Sequence, residues 1–96
     1  MSLFALGQLV VTRGVNDEIA NNKEFAKLVT ASLRRHAVGD WGEMEKEDLK
    51  SNDDALKPES QGRLFSAYVP KNGLPKIWII TEWDRSVTTV LFPDEY

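Results

Sequence analysis

The chain has 96 residues, with 12 Lys and Arg against 15 Asp and Glu for a net charge of −3, which suits one domain spanning residues 1–96 and leaves too little chain for two cores. It contains no cysteine, so disulfides, thiolate metal sites and a cysteine nucleophile are excluded. A single histidine and the lack of any acidic run with calcium-loop spacing lead us to expect no metal and no cofactor.

Phe4 to Thr12 (FALGQLVVT) is rich in β-formers and stops at the turn pair Arg13-Gly14, so the first expected element is a strand. Asn16-Asp17-Glu18 offers an N-cap and first-turn acids for a short helix through about Ala20. The clearest periodicity runs from Lys23 to His36, where Phe25, Leu28, Val29, Ser32, Leu33 and His36 fall on one helical face. Asn21 and Glu24 have capping-box spacing, and Gly39 supplies a stop.

A more polar third helix is expected from about Glu43 to Leu56, with Met44, Asp48, Leu49, Asn52 and Leu56 facing inward. Two of those positions are polar, so either the helix is half buried or Asp48 and Asn52 point into something that needs them. Lys57 to Gly62 (KPESQG) reads as a linker. The period then changes to two, giving strands over Arg63–Val69, Lys76–Glu82 and Val87–Phe92. Lys71-Asn72-Gly73-Leu74 and Trp83-Asp84-Arg85-Ser86 supply the turns between them, and Ile77–Ile80 reads as a central strand. The expected fold class is α+β, with two or three N-terminal helices packed on an antiparallel meander of three or four strands, the first strand being the candidate fourth.

Charge is uneven along the chain. Residues 1–36 carry +2, residues 37–61 carry −5 and residues 62–96 are neutral. An acidic middle argues against broad nucleic-acid binding, which needs clustered cations to neutralise phosphates. No apolar run approaches the roughly 18 residues of a membrane span, and the N-terminus lacks the basic and small-residue signals of a secretory leader, so no membrane partner and a cytoplasmic location are expected. The expected partner is another macromolecule, most readily a protein, and a homodimer is open because Val87–Phe92 is apolar enough to pair with its twin.

His36 closes the apolar stripe four residues before Asp40. A carboxyl-terminal histidine of this kind commonly ties down helix carbonyls, but it can also serve as an acid or base. Trp41, between Gly39 and Gly42, reads as a lid on the core. The binding candidates are Asp40, Asp48, Asn52, Arg63, Tyr68, Glu82, Asp84 and Arg85. Of these, Glu82 to Arg85 sit with Trp83 and Ser86 in one tight connection that could present a recognition surface.

The series GDWG at Gly39–Gly42, Asp48 and Asn52, RLFSAY at Arg63–Tyr68, IWIITEWDRS at Ile77–Ser86, Thr88-Thr89 and the ending Pro93–Tyr96 resembles a family of small, uncharacterised bacterial proteins. Members are frequent on plasmids, prophages and integrated elements, and some are labelled plasmid-related or type I restriction subunit M. The resemblance covers about the last two thirds of the chain and implies a mobile-element setting rather than a mechanism; no glycine motif is present to receive a methyltransferase cofactor. The order of helices before an antiparallel sheet also resembles compact barnase-like toxin ribonucleases. That likeness implies His36 as acid or base, Arg63 or Arg85 as phosphate clamp, and Ser66, Tyr68 or Thr89 as hydrogen-bonding partner. The leading expectation is a non-enzymatic interaction or regulatory protein of a mobile element; the alternative is a metal-independent ribonuclease using His36, Arg63 and Ser66.

Overall fold

The computed structural model describes residues 2–96, and its first strand, β1 (Gln8–Val11), begins four residues later than Phe4. Gly7 is the reason. It bends at a φ of +66°, where a Cβ would collide with the carbonyls of Arg85 and Ser86, so the residues before it leave the sheet. Phe4 turns inward instead and packs against His36 and Trp41 at centroid distances of 5.4 and 6.1 Å.

Helix α1 (Arg13–Asn21) starts before Asn16, with Thr12 as its N-cap. The pair Arg13-Gly14, expected as a turn, forms the first helical turn because a distant residue completes the cap. The Glu95 carboxylate accepts the Gly14 N–H at 3.0 Å and the Phe92 N–H at 2.9 Å, tying the end of the chain to its first helix. Helix α2 (Lys23–Ala37) follows the expected periodicity and buries Phe25, Val29, Ser32, His36 and Ala37. Its cap is Asn22 rather than Asn21, the side-chain oxygen accepting the N–H groups of Glu24 and Phe25 at 3.0 and 3.2 Å.

Helix α3 (Lys46–Ala55) is shorter than the expected Glu43–Leu56. The segment before it is drawn out of the helix where Trp41 and Glu43 bond to β2 (Leu64–Tyr68): Ala67 N–H donates to the Trp41 carbonyl at 3.1 Å and Glu43 N–H to the Ala67 carbonyl at 2.8 Å. Gly42 sits between them at a φ of +78°, with its α-carbon against the Ala67 carbonyl, so that a Cβ has nowhere to go. Gly42→Ala is therefore expected to destabilise the fold by about 3 kcal/mol or more, since it combines left-handed strain with a backbone collision. Chemical denaturation measures this; a loss below about 1 kcal/mol would show that the extended segment is free to relax.

Strands β2, β3 (Ile77–Thr81) and β4 (Val87–Leu91) form the expected antiparallel meander. The first strand does join as a fourth, but β1 runs parallel to β4, giving a mixed sheet in the order β1-β4-β3-β2. This parallel pairing replaces an all-antiparallel ribbon because the chain returns to the sheet only after three helices, and so arrives at the far edge in the same direction. It also makes β4 an interior strand, so Val87–Phe92 has no free edge to offer a twin. One sheet face, carrying Tyr68, Ile77, Ile79 and Val90, meets Val15, Phe25 and Val29 of α1 and α2 in the main core. A smaller core joins Trp41, Ala55 and Leu64 with Phe4, Leu49 and Leu56.

Candidate functional site

Alternation along β2 and β3 sends Ser66 and Tyr68 to the helix-covered face and Phe65 and Ala67 to the other. There Phe65 meets Trp78 edge-on at 4.9 Å, and Trp78 meets Tyr96 at 5.9 Å, making a row of aromatic rings. Helix α3 and the segment before it rise beside this row. Between them lies a cleft of about 430 Å³, whose lining includes Glu43, Glu45, Asp48, Asn52, Phe65, Lys76 and Trp78. An apolar aromatic floor with carboxylates along one wall is suited to a group that is cationic at its tip and apolar along its stem.

Asn52 on that wall has a structural task. Its amide nitrogen donates to the Phe65 carbonyl at 2.7 Å and its oxygen accepts the Phe65 N–H at 3.0 Å, so one side chain stands in for a neighbouring strand at the edge of β2. This answers why two polar residues fall on the inward stripe of α3: Asn52 is buried on the sheet edge and Asp48 faces the cleft.

The remaining expected site residues lie outside the cleft, Asp40 bonded to Tyr68 and Arg63 paired with Glu82. Asp40 accepts Arg35 Nε and Nη2 at 2.8 and 3.0 Å, and this pairing holds its carboxyl below the usual range. Its backbone carbonyl accepts the Tyr68 hydroxyl at 2.8 Å; burial pushes that phenol up to about 12. Arg63 pairs with Glu82 at 3.3 Å and donates to the Tyr96 hydroxyl at 3.2 Å, at the far end of the aromatic row. Asp84 accepts the Ser86 N–H and hydroxyl at 3.1 and 2.6 Å and so shapes the turn. Arg85 bonds the carbonyls of Ala55, Gly62 and Glu82 at 2.8, 2.6 and 3.1 Å, stapling the linker and the end of α3 to the β3–β4 turn. Of the eight residues, Asp48 and Asn52 line the cleft.

His36 has no exposed surface, and both ring nitrogens are engaged. The hydrogen-bond chain fixes its tautomer. A carbonyl can only accept, so Thr88 donates to Leu6 at 2.6 Å and must accept from Thr81, 2.7 Å away. Thr81 then accepts from His36 Nε2–H at 2.9 Å, which leaves Nδ1 to accept the Ser66 hydroxyl. Burial, reinforced by the charge of Arg85, pushes the imidazole pKa down to about 4, so the ring is neutral around pH 7. A ribonuclease acid or base must reach its substrate, which this enclosed ring does not do, and Arg63 emerges on the sheet face opposite Ser66.

The cleft residues absent from the expected set include Glu43, Glu45, Phe65, Lys76 and Trp78. Alternation in RLFSAY already separates Phe65 from Ser66, and that was the available signal; that α3 would wall the same face was not local information. Among the described residues, no group of three or more His, Asp and Glu side chains is placed to hold a metal ion, and no helix is long and apolar enough to cross a membrane. Comparison with family models, curated proteins and solved structures finds no match to this chain.

Proposed function

We propose that the protein is a non-enzymatic interaction module that receives a basic segment of another protein in the cleft between α3 and the β2–β3 face. The carrying observation is the pairing of the Phe65–Trp78 floor with the Glu43, Glu45 and Asp48 carboxylates. A lysine or arginine can lay its stem on the rings and bring its charge to the acids. The burial of His36 supports this over the ribonuclease reading, since the chain's one histidine is used to hold the fold. The motif likeness supports a role on a plasmid, prophage or integrated element, where such a module would regulate a larger protein.

An arginine-rich tetrapeptide amide serves as probe, followed by the Trp78 indole signal in a proton–nitrogen correlation spectrum. The expected result is a saturable shift that weakens with salt and becomes about tenfold weaker in a Glu45→Lys, Asp48→Lys variant. A Trp78 signal that does not move, or an affinity unchanged by the double charge reversal, would remove the cleft from consideration.

A further inference from the structure

The two edges of the sheet are treated very differently. At β2, Asn52 bonds both backbone groups of Phe65, the Trp41–Glu43 segment bonds both of Ala67, and the Glu43 carboxylate accepts the Val69 N–H at 3.1 Å. That edge is closed. At β1, Gln8 N–H donates to Ser86 at 2.9 Å and Thr12 N–H to Val90 at 3.1 Å, so the even-numbered residues bond inward to β4. Parallel pairing then aims the N–H and C=O groups of Leu9 and Val11 outward, and among the described residues nothing bonds to them. Leu9 is 53% exposed on one face and Val10 38% exposed on the other. Gln8–Val11 contains no lysine, proline or bulge of the kind that protects an edge.

We propose that β1 is an interface for a second copy of this chain, the two strands pairing antiparallel about a two-fold axis at Val10 and joining both sheets into one. In this register Leu9 of one copy faces Val11 of the other, and each pair exchanges both of its outward hydrogen bonds, so every open group on both edges is satisfied. Leu9 stacks beside Val11 of the second copy on one face, and the two Val10 side chains meet on the other. No charged residue lies between Gln8 and Thr12, so nothing repels. An identical strand thus fits the exposed row with no adjustment, and the two-fold symmetry consumes both free edges instead of passing one on. The contact is only one short strand wide, which places the expected dissociation constant on the order of 100 µM.

Sedimentation velocity between roughly 10 µM and 1 mM tests this. The mass is expected to rise from the 10.9 kDa monomer toward the dimer with concentration. Val10→Lys and Val10→Glu place like charges face to face across the axis, so each variant alone is expected to stay monomeric while their equimolar mixture dimerises. Leu9→Pro removes an outward donor and is also expected to stay monomeric, with its circular dichroism confirming the fold; if it does not fold, the Val10 pair decides. A wild type that stays at monomer mass at the highest concentration overturns the proposal. So does a charge-swap mixture that fails to dimerise, or a folded Leu9→Pro variant whose dimer persists.

Discussion

Unfolding free energy is expected to fall by about 3 kcal/mol between pH 7 and pH 4 on account of His36 alone. Its pKa is about 4 in the folded protein and near 6.5 in an unfolded chain, and each unit of difference is worth about 1.4 kcal/mol. The sign follows from proton binding. Below pH 6.5 the unfolded state takes up a proton that the buried ring refuses, so the stability present above pH 6.5 drains away until the folded ring titrates near pH 4. Urea unfolding at half-unit pH steps measures the slope. His36→Gln removes the titrating ring, and is expected to be less stable at pH 7, where the Phe4 and Trp41 rings lose their edge-on partner, but to vary much less across this window. A wild-type profile flat from pH 7 to 5 would contradict the neutral, enclosed histidine on which the structural assignment rests.

The second large effect is expected at Asn52. Asn52→Leu leaves both backbone groups of Phe65 without a partner in a half-buried setting, at a cost of about 2–4 kcal/mol. Asn52→Asp is more diagnostic because it keeps the size and one acceptor. At pH 7 its carboxylate would face the Phe65 carbonyl in place of a donor, so the loss is comparable. On acidification the carboxyl gains the proton it needs to donate, and part of the stability returns. Here the folded carboxyl pKa lies above the unfolded value of about 3.9, so stability is present at low pH and lost as pH rises through that window. Thermal melts of the two variants at pH 4 and 7 should therefore show the Asp variant gaining on the Leu variant at the lower pH. Parallel behaviour would mean that the edge of β2 does not depend on this side chain.

Much of the framework could be read from the chain because its cause is local. Phe25, Val29, Ser32 and His36 fall on one helical face, and that face is buried. The three strands after Gly62 appear within a residue of where alternation places them. The misreadings fall where a distant residue decides. Arg13-Gly14 looks like a turn until Glu95 caps the helix. Glu43 looks helical until the edge of β2 takes up the Trp41–Glu43 segment as a partner. Residue type marks a side chain as able to bind, but it does not say whether an arginine will staple carbonyls, as Arg85 does, or stand free.

The sequence by itself determined the α+β class, the long amphipathic helix, the meander and the absence of cysteine chemistry, since composition and period are carried by neighbours along the chain. Tertiary structure alone decided that β1 lies parallel at an open edge, that α3 faces the Phe65–Trp78 row to form an acidic cleft, and that the histidine is sealed in a line of hydroxyls. The physical reason is that burial and hydrogen-bond pairing depend on which surfaces meet, and a strand or helix records in its own pattern that it has a buried side but not what buries it.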